Sequence, residues 1–512
     1  MFRLKSIFFK KNKVFKTFSV GFQDLFDQNR PEQTHPYFSV IIGPNGTGKS
    51  FLLKFIVEIF RIAYSKRNDI KYSPDITGRY KLEYEINGVL YTISNLVEVK
   101  GMDIETDRGS NLVHFYKEVE STKGTETLSN EIEFPERIIA NSLMITDKFT
   151  VLKDDVFPIY TYLGIRSTAS VAGTRSYIRK TIELLTESID DSTFRSSLID
   201  LLDFLELQHF LYVSYIPKYK LKFFAGNLSA DFFNEFFENF TKHTRRDENR
   251  KPWGYDYFQK IKADSVLLDR IATFCNEKSL ELKPISEKSR TLYFGYDVFS
   301  QKTLKEDYEM IRHLTKLDLV SFPSISLKRQ GNEYELEESS SGEYHFFSTI
   351  IGLLASIKNN SLILIDEPEV SLHPNWQMKY MEFLNLIFAR FSSSHFVITT
   401  HSHFLVSGLK SENSTIIAMS REKEGIISRQ MPQDTFGWSA ENVLLNVFNL
   451  PTTRNFFIAD RIGEILGLIS KRERDVELIK AKVNSLIKQN VLKLSDSDPL
   501  KSVWDKIVSK YG

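Results

Sequence analysis

Five hundred and twelve residues, at roughly 150 per domain, suggest two to four structural units. Apolar residues at 42% and charged residues at 26% give a soluble globular composition; 67 Lys plus Arg against 66 Asp plus Glu leave a net charge of +1, so nucleic-acid contact would have to come from local patches. The single cysteine, Cys275, excludes an internal disulfide framework and a cysteine-based zinc site, and no apolar run approaches the ~18 residues of a membrane span.

In chain order, the basic N-terminus MFRLKSIFFKKNKVF lacks the apolar core and cleavage site of a leader, and a cytoplasmic protein is expected. Phe38–Ile42 reads as a strand ending at a glycine. A helix follows from Gly48, with Phe51, Leu52, Phe55, Ile56 and Ile59 at helical spacing. Tyr80–Ile86 and Val89–Ile93 flank Asn87-Gly88, a type I′ hairpin signal. From about 180 to 315 the pattern reads as mainly helical. It includes a helix over Thr181–Phe210 and a phenylalanine stripe (Phe232, Phe233, Phe236, Phe237, Phe240) expected to be core. Val320–Leu327 and Tyr334–Glu337 read as strands about a turn at Gly331-Asn332. Helices at Glu343–Ile357 and Pro374–Phe391 then alternate with strands at Leu362–Ile365 and Phe396–Thr399, which implies a parallel sheet covered by helices. Thr415–Met419 and Gly425–Arg429 read as a closing hairpin, and the last 70 or so residues as helical, with Asp498 and Pro499 opening the final helix.

Gly43-Pro44-Asn45-Gly46-Thr47-Gly48-Lys49-Ser50 matches G-x-x-x-x-G-K-[ST] between a strand and a helix. Its glycines let backbone N–H groups turn toward a phosphate, Lys49 neutralises β/γ oxygens, and Ser50 is placed for Mg²⁺. Leu362–Ile365 runs into Asp366-Glu367-Pro368: Asp366 is a Mg²⁺ holder, and Glu367 a residue to orient or activate the attacking water. Ser339-Ser340-Ser341-Gly342-Glu343 opens an amphipathic helix and reads either as an anion site or as plain N-capping. His401, after the strand Phe396–Thr399, reads either as a γ-phosphate contact or as a structural histidine.

Together these pieces resemble the ABC-type ATPase head in its SMC-like and OLD-like branch. The resemblance covers roughly 1–100 and 315–430, and it is carried by the order of Gly43–Ser50, Ser339–Glu343, I-D-E-P-E-V-S-L-H-P and T-T-H-S. It implies an α/β fold: a P-loop sheet with an antiparallel β subdomain, split over 1–180 and 316–435, a helical insertion over 181–315, and a short helical tail over 436–512. It implies ATP and Mg²⁺, catalytic roles for Glu367 and His401, and two heads clamping two nucleotides. Ser340, Ser341, Gly342 and Glu343 would then act in trans as the signature, with Ser371-Leu372-His373-Pro374 as the D-loop. Two departures stand out. Ser339 replaces the usual leucine, and the glutamine-loop equivalent is placed no more closely than Ser142–Phe149.

Ser340 lies 291 positions beyond Lys49, too far for a transporter subunit. The residues between are interrupted by Pro217, Gly226, Pro252 and Gly254 and lack the heptads of a long SMC coiled coil. No histidine follows His403, and the tail offers no TOPRIM pattern. The tail strings Phe436–Leu444 and Leu450–Arg454 resemble the Septu-type ATPases of bacterial anti-phage defence, also found with some retrons. That implies an ATP-hydrolysing sensor or regulator with a separate effector nuclease, acting as a head dimer or higher oligomer, with no nuclease activity of its own. A RecF- or SMC-like DNA repair clamp is the alternative. Two basic clusters stay open as nucleic-acid contacts or solvated surface: Arg3, Lys5, Lys10, Lys11, Lys13 and Lys16, and the loop with Lys242, Arg245, Arg246, Arg250 and Lys251. Apolar stripes at Ile462–Ile469 and Val476–Ile487 are expected to pack on the head or dock a partner.

Overall fold

The computed structural model describes the chain except for residues 24–34, 97, 100–101, 104–113, 119–125, 129–130, 152–155, 167–173, 244–253, 286–288, 300–303, 322, 424, 432–434, 449–455, 471–474 and 489–498. Arg245, Arg246, Arg250, Lys251, Leu450–Arg454 and Asp498 therefore lie outside the described residues. The chain divides into two compact units, Met1–Phe436 and Gly437–Gly512.

The first unit opens with a hairpin, β1 (Phe2–Asn12) and β2 (Lys16–Gly21), followed by β3 (Tyr37–Ile42) and α1 (Lys49–Arg67). Next come β4 (Arg79–Ile86), β5 (Val89–Ser94), a ribbon of β6 (Glu98–Val99) and β7 (Met102–Asp103), then β8 (His114–Glu118) and β9 (Glu126–Leu128). β10 (Ile138–Ser142) and β11 (Tyr160–Tyr162) precede α2 (Thr174–Ser188), α3 (Ser192–Phe204) and β12 (Leu211–Tyr215). Four helices follow: α4 (Lys220–Phe223), α5 (Ala230–His243), α6 (Tyr255–Ile261) and α7 (Ser265–Leu280). β13 (Lys283–Pro284), β14 (Leu292–Asp297), α8 (Leu304–Lys316), β15 (Ser324–Arg329) and β16 (Asn332–Glu335) lead into α9 (Ser341–Ser356). β17 (Leu362–Asp366), α10 (Pro374–Ile387), β18 (His395–Thr400), α11 (His403–Ser407), β19 (Ser414–Glu422) and β20 (Gly425–Met431) close the unit.

A seven-stranded sheet ordered β11-β10-β17-β18-β3-β19-β20 is parallel except for its last hairpin. Every residue of β3, β10, β17 and β18 is buried, because helices or a second sheet cover both faces; this is why these strands read as continuous apolar runs. The antiparallel sheet β2-β1-β4-β5-β8-β9 lies across α1. Leu52, Phe55, Ile56, Ile59 and Phe60 of α1 join residues of both sheets in one core. The helix is thus apolar around most of its circumference. Asn87 and Gly88 both carry positive φ, as the hairpin signal requires.

The region expected to be a helical insertion differs. β12 and β14 join β13, β15 and β16 in a five-stranded antiparallel sheet. The period-two signal was there, since β12 alternates buried and half-buried residues, but its partners are far away in sequence. The long helix Thr181–Phe210 is two helices. Asp191 caps α3 by accepting from Thr193 N at 2.7 Å and Phe194 N at 3.2 Å, and α3 ends at Phe204. The later strands are shifted as well: β15 starts at Ser324, its turn uses Gln330 and Gly331, and β16 begins at Asn332. In the phenylalanine stripe Phe233, Phe236 and Phe237 are buried and Phe232 half-buried, with Phe237 stacked on Phe258 at 4.7 Å.

Arg3 is fully buried, donating to the carbonyls of Phe2, Ser392 and Ser394, so the strand carrying it is not a solvated basic edge. Lys5 pairs with Glu85 at 2.6 Å, while Lys13 and Lys16 remain exposed at the hairpin turn.

The second unit comprises α12 (Ala440–Asn446), α13 (Phe456–Ser470), α14 (Val476–Lys488) and α15 (Pro499–Tyr511). Ile465, Ile479, Val483 and Leu486 pack with Trp504, Ile507 and Tyr511. Part of each tail stripe is therefore covered within the tail itself, by the other stripe and by α15, while Leu466, Leu478 and Ile487 stay exposed. Among the described residues no helix is long and apolar enough to cross a membrane.

Candidate functional site

Strand register brings the separate motifs to one edge. Ser142 lies beside Asp366, Asp366 beside Thr399, and Thr400 beside Ile42. The segments after β3, β17 and β18 thus leave the sheet together at its carboxyl end, where open α/β sheets build their sites.

Gly48 caps α1 at φ 86°, and a Cβ there would meet the Phe15 ring at 2.7 Å, so both conformation and space demand glycine. Pro44, Asn45 and Gly46 are exposed at the loop's crest. Thr47 Oγ1 donates to Pro44 O at 2.9 Å and braces the turn. Lys49 reaches back under the loop: its Nζ donates to Gly43 O at 2.8 Å and Pro44 O at 3.3 Å, and lies 2.9 Å from His401 Nε2. Burial lowers its pKa, and Glu367, Asp366 and Glu369 oppose that shift.

Asp366 is buried at the end of β17. Its Oδ1 accepts from Thr399 Oγ1 at 2.5 Å and Ser50 Oγ at 3.0 Å. Burial raises its pKa against those two hydrogen bonds. The pair Ser50 and Asp366 offers hard oxygen donors side by side, a donor set that fits Mg²⁺.

Glu367 turns out of the sheet at φ 51°, with its N–H held by Thr399 O at 3.0 Å. Its Oε1 lies 3.5 Å from His401 Nε2. Donation from His401, with Lys49 nearby, holds the carboxyl below the usual range despite its burial. His401 Nε2 cannot accept from the Lys49 ammonium and donate to Glu367 at once; the imidazole has two competing partners for one nitrogen.

Two residues without an assigned role from sequence enter the site. Glu369 Oε1 accepts from the His401 backbone N–H at 2.6 Å, and burial raises its pKa. Arg421, on β19, donates to Gly46 O at 2.9 Å. The D-E-P-E string holds Glu369, but nothing local points it at residue 401.

The signature residues sit elsewhere. Ser340 caps α9, accepting from Glu343 N at 3.1 Å, and Ser340 and Ser341 are exposed. Gly342 is pressed under the turn after Glu367, where a Cβ would lie 2.5 Å from Ser371 O. Glu343 points inward, its Oε1 accepting from Arg329 at 2.8 Å and Tyr334 at 2.9 Å. His373 caps α10 through Asn375 N.

A phosphate loop before α1, carboxylates ending β17 and a histidine after β18 define a P-loop ATPase of the ABC type. The chain belongs to the family described as "AAA domain, putative AbiEii toxin, Type IV TA system", which residues 38–407 match. It is 26% identical over 204 residues to the Septu protein PtuA of Bacillus thuringiensis, across 37% of this chain and 49% of that protein. A second Septu protein PtuA, from Bacillus mycoides, is 26% identical over 162 residues, 29% of this chain and 22% of that one. The chain thus spans about half of one curated relative and about a fifth of the other. Among solved structures it is similar to an Smc head domain with an extended coiled coil, bound to the C-terminal domain of ScpA, from Pyrococcus furiosus. There the identity is 12% and the TM-score 0.31, over 84% of this chain and 96% of that one. For the SMC head domain from Thermotoga maritima the identity is 11% and the TM-score 0.29, over 84% and 99%.

Proposed function

We propose that this chain binds and hydrolyses ATP at Gly43–Ser50 as a cytoplasmic sensor or regulator subunit of a bacterial anti-phage defence system, working with a separate effector nuclease. The observation that carries the catalytic part is the convergence of Lys49, Ser50, Asp366, Glu367 and His401 at one sheet edge. The defence role rests on the likeness to the Septu proteins.

The loop backbone and Lys49 bind the phosphates, and Ser50 with Asp366 holds Mg²⁺, which when bound neutralises phosphate charge. Glu367, kept ionised by His401 and Lys49, orients a water and takes its proton at Oε1. When His401 pairs with Glu367 it gives up Lys49, which frees the ammonium for the γ-phosphate. Ser340, Ser341 and Gly342, the first two exposed at the start of α9, act on the nucleotide of a second head. Glu343 supports them from behind through Arg329 and Tyr334.

Glu367→Gln tests this reading, with Lys49→Ala beside it. The first should bind ATP within a few-fold of the parent and turn it over about 10²–10⁴-fold more slowly; the second should lose binding in a fluorescent-nucleotide titration. Parent-like turnover in Glu367→Gln would move the catalytic role elsewhere.

A further inference from the structure

A cavity of about 250 Å³ opens between α2 and α8, with Tyr215 of β12 and Pro323 at its base and Ile182 and Ile311 on its walls. None of its residues belongs to the ATP site. Its polar lining is uneven in charge: Arg179 on α2 and Arg312 and Lys316 on α8 stand against the single carboxylate of Glu183. Among the described residues none of the three cations has a carboxylate at ion-pair distance, although Lys316 lies 5.1 Å from the centre of the Tyr257 ring. Glu187, one turn beyond Glu183, also acts on the Tyr308 hydroxyl. Burial and these two acids raise the Tyr308 pKa, so it stays a protonated donor facing the cavity.

Converging cations repel one another, and the repulsion is relieved by an anion. Two guanidinium groups on facing helices suit the oxygens of a phosphate, which each can grip with two N–H bonds. Glu183 on the same wall has only lone pairs to offer, so it favours a ligand body bearing hydroxyl donors. The volume sits at the small end of ligand pockets and limits that body to about the size of a sugar or one nucleoside.

We propose that this cavity binds a phosphomonoester on a hydroxylated body. Arg179 and Arg312 hold the phosphate, Tyr308 donates to it, and Glu183 accepts from a ligand hydroxyl. The position gives such a ligand a route to the ATPase. At 3.6 residues per turn, Tyr177 and Ser188 lie on the face of α2 opposite to Arg179, Ile182 and Glu183. That opposite face packs on the signature helix α9, with Tyr177 Oη 2.8 Å from Thr349 Oγ1 and Ser188 Oγ 3.4 Å from Ala355 O. A ligand joining α2 to α8 therefore sits one helix away from Ser340–Gly342.

The test is calorimetric titration of the full-length Lys49→Ala chain, whose phosphate loop is disabled, with inorganic phosphate, ribose 5-phosphate and AMP. Ribose 5-phosphate or AMP should bind saturably and at least tenfold more tightly than inorganic phosphate. Equal affinity for the two would identify a sugar phosphate as the ligand, and tighter AMP binding a nucleotide. Adding Arg312→Ala should weaken binding at least tenfold, and Arg312→Lys, which keeps the charge but loses the fork, should fall between. Arg179→Ala, at an exposed position, gives the same reading if Arg312→Ala does not fold. Absence of saturable binding, or binding that ignores both arginines, would overturn the proposal. Because no step of the assay involves hydrolysis, its failure is distinct from failure of the ATPase reading.

Discussion

His395 and His401 stand at the two ends of strand β18. His395 is fully buried and has one consistent set of partners. Its Nδ1 accepts from Leu4 N at 2.9 Å, and Nε2 lies 2.8 Å from Ser39 Oγ, which itself donates to Phe22 O. Only the neutral ring with its proton on Nε2 satisfies all three, and burial beside Arg3 and Lys5 drives its pKa far below the ordinary value. His401 has a side chain 33% exposed and one nitrogen contested by Lys49 and Glu367. The same residue type locks a fold where its partners agree and offers a two-way choice where they compete.

Substitution should separate the two. His395→Ala strands Leu4 N–H and Ser39 and opens a cavity between β1, β3 and β18, so it should cost about 3 kcal/mol of unfolding free energy, read by denaturant titration. His401→Ala should leave thermal stability within about 2 °C of the parent while turnover falls about 10²-fold, roughly 2.7 kcal/mol of transition-state stabilisation. Comparable stability losses in both would erase the distinction.

Glu369 sharpens the contrast, because it acts on His401 through the main chain alone. Glu369→Ala leaves the His401 N–H without its acceptor and should lower kcat about tenfold with KM for ATP within about twofold. Glu369→Gln keeps an acceptor oxygen and should recover most of that loss. The smallest effect is the acid sensitivity of His395. Its folded pKa is depressed, so below about pH 6.5 the unfolded chain takes up a proton that the folded chain refuses. Its contribution is complete above that pH and falls away as pH drops, by at most ~1.4 kcal/mol per unit. Unfolding measured at pH 7.5 and 5.5 should show a flatter dependence in His395→Gln than in the parent.

What could be read from sequence follows from how local each signal is. The phosphate loop, Asp366-Glu367 and His401 sit in contiguous strings whose strand–helix context is itself local. Residues distant in the chain supply the rest. Arg3 looked like an exposed base because its acceptors, Ser392 and Ser394, lie at the far end of the head. β12 and β14 were absorbed into a region read as mainly helical because a short strand is persuasive only beside its neighbours, and β12 finds them in β14 and β15, more than 70 residues further along the chain. The share of the tail stripes' cover that comes from Trp504, Ile507 and Tyr511 could not be paired with them by eye, because those residues lie on a separate helix further along the chain. The partners of Glu343, Arg329 and Tyr334, were out of sight because they belong to the hairpin that precedes its helix.

The placement of β3 between β18 and β19 has a consequence for synthesis. Tyr37–Ile42 leaves the ribosome early, yet both of its sheet neighbours begin at or after His395. The Arg3 clamp likewise waits for Ser394, 391 residues away. At ~5–20 residues per second, that interval lasts on the order of 20–80 s. Throughout it, an apolar strand with two unpaired edges is tethered to a growing chain, with the stickiness such segments carry. The strand that presents the phosphate loop is thus among the first made and the last completed. Slowing translation downstream of residue 42 should therefore lower soluble yield more than slowing it after β19.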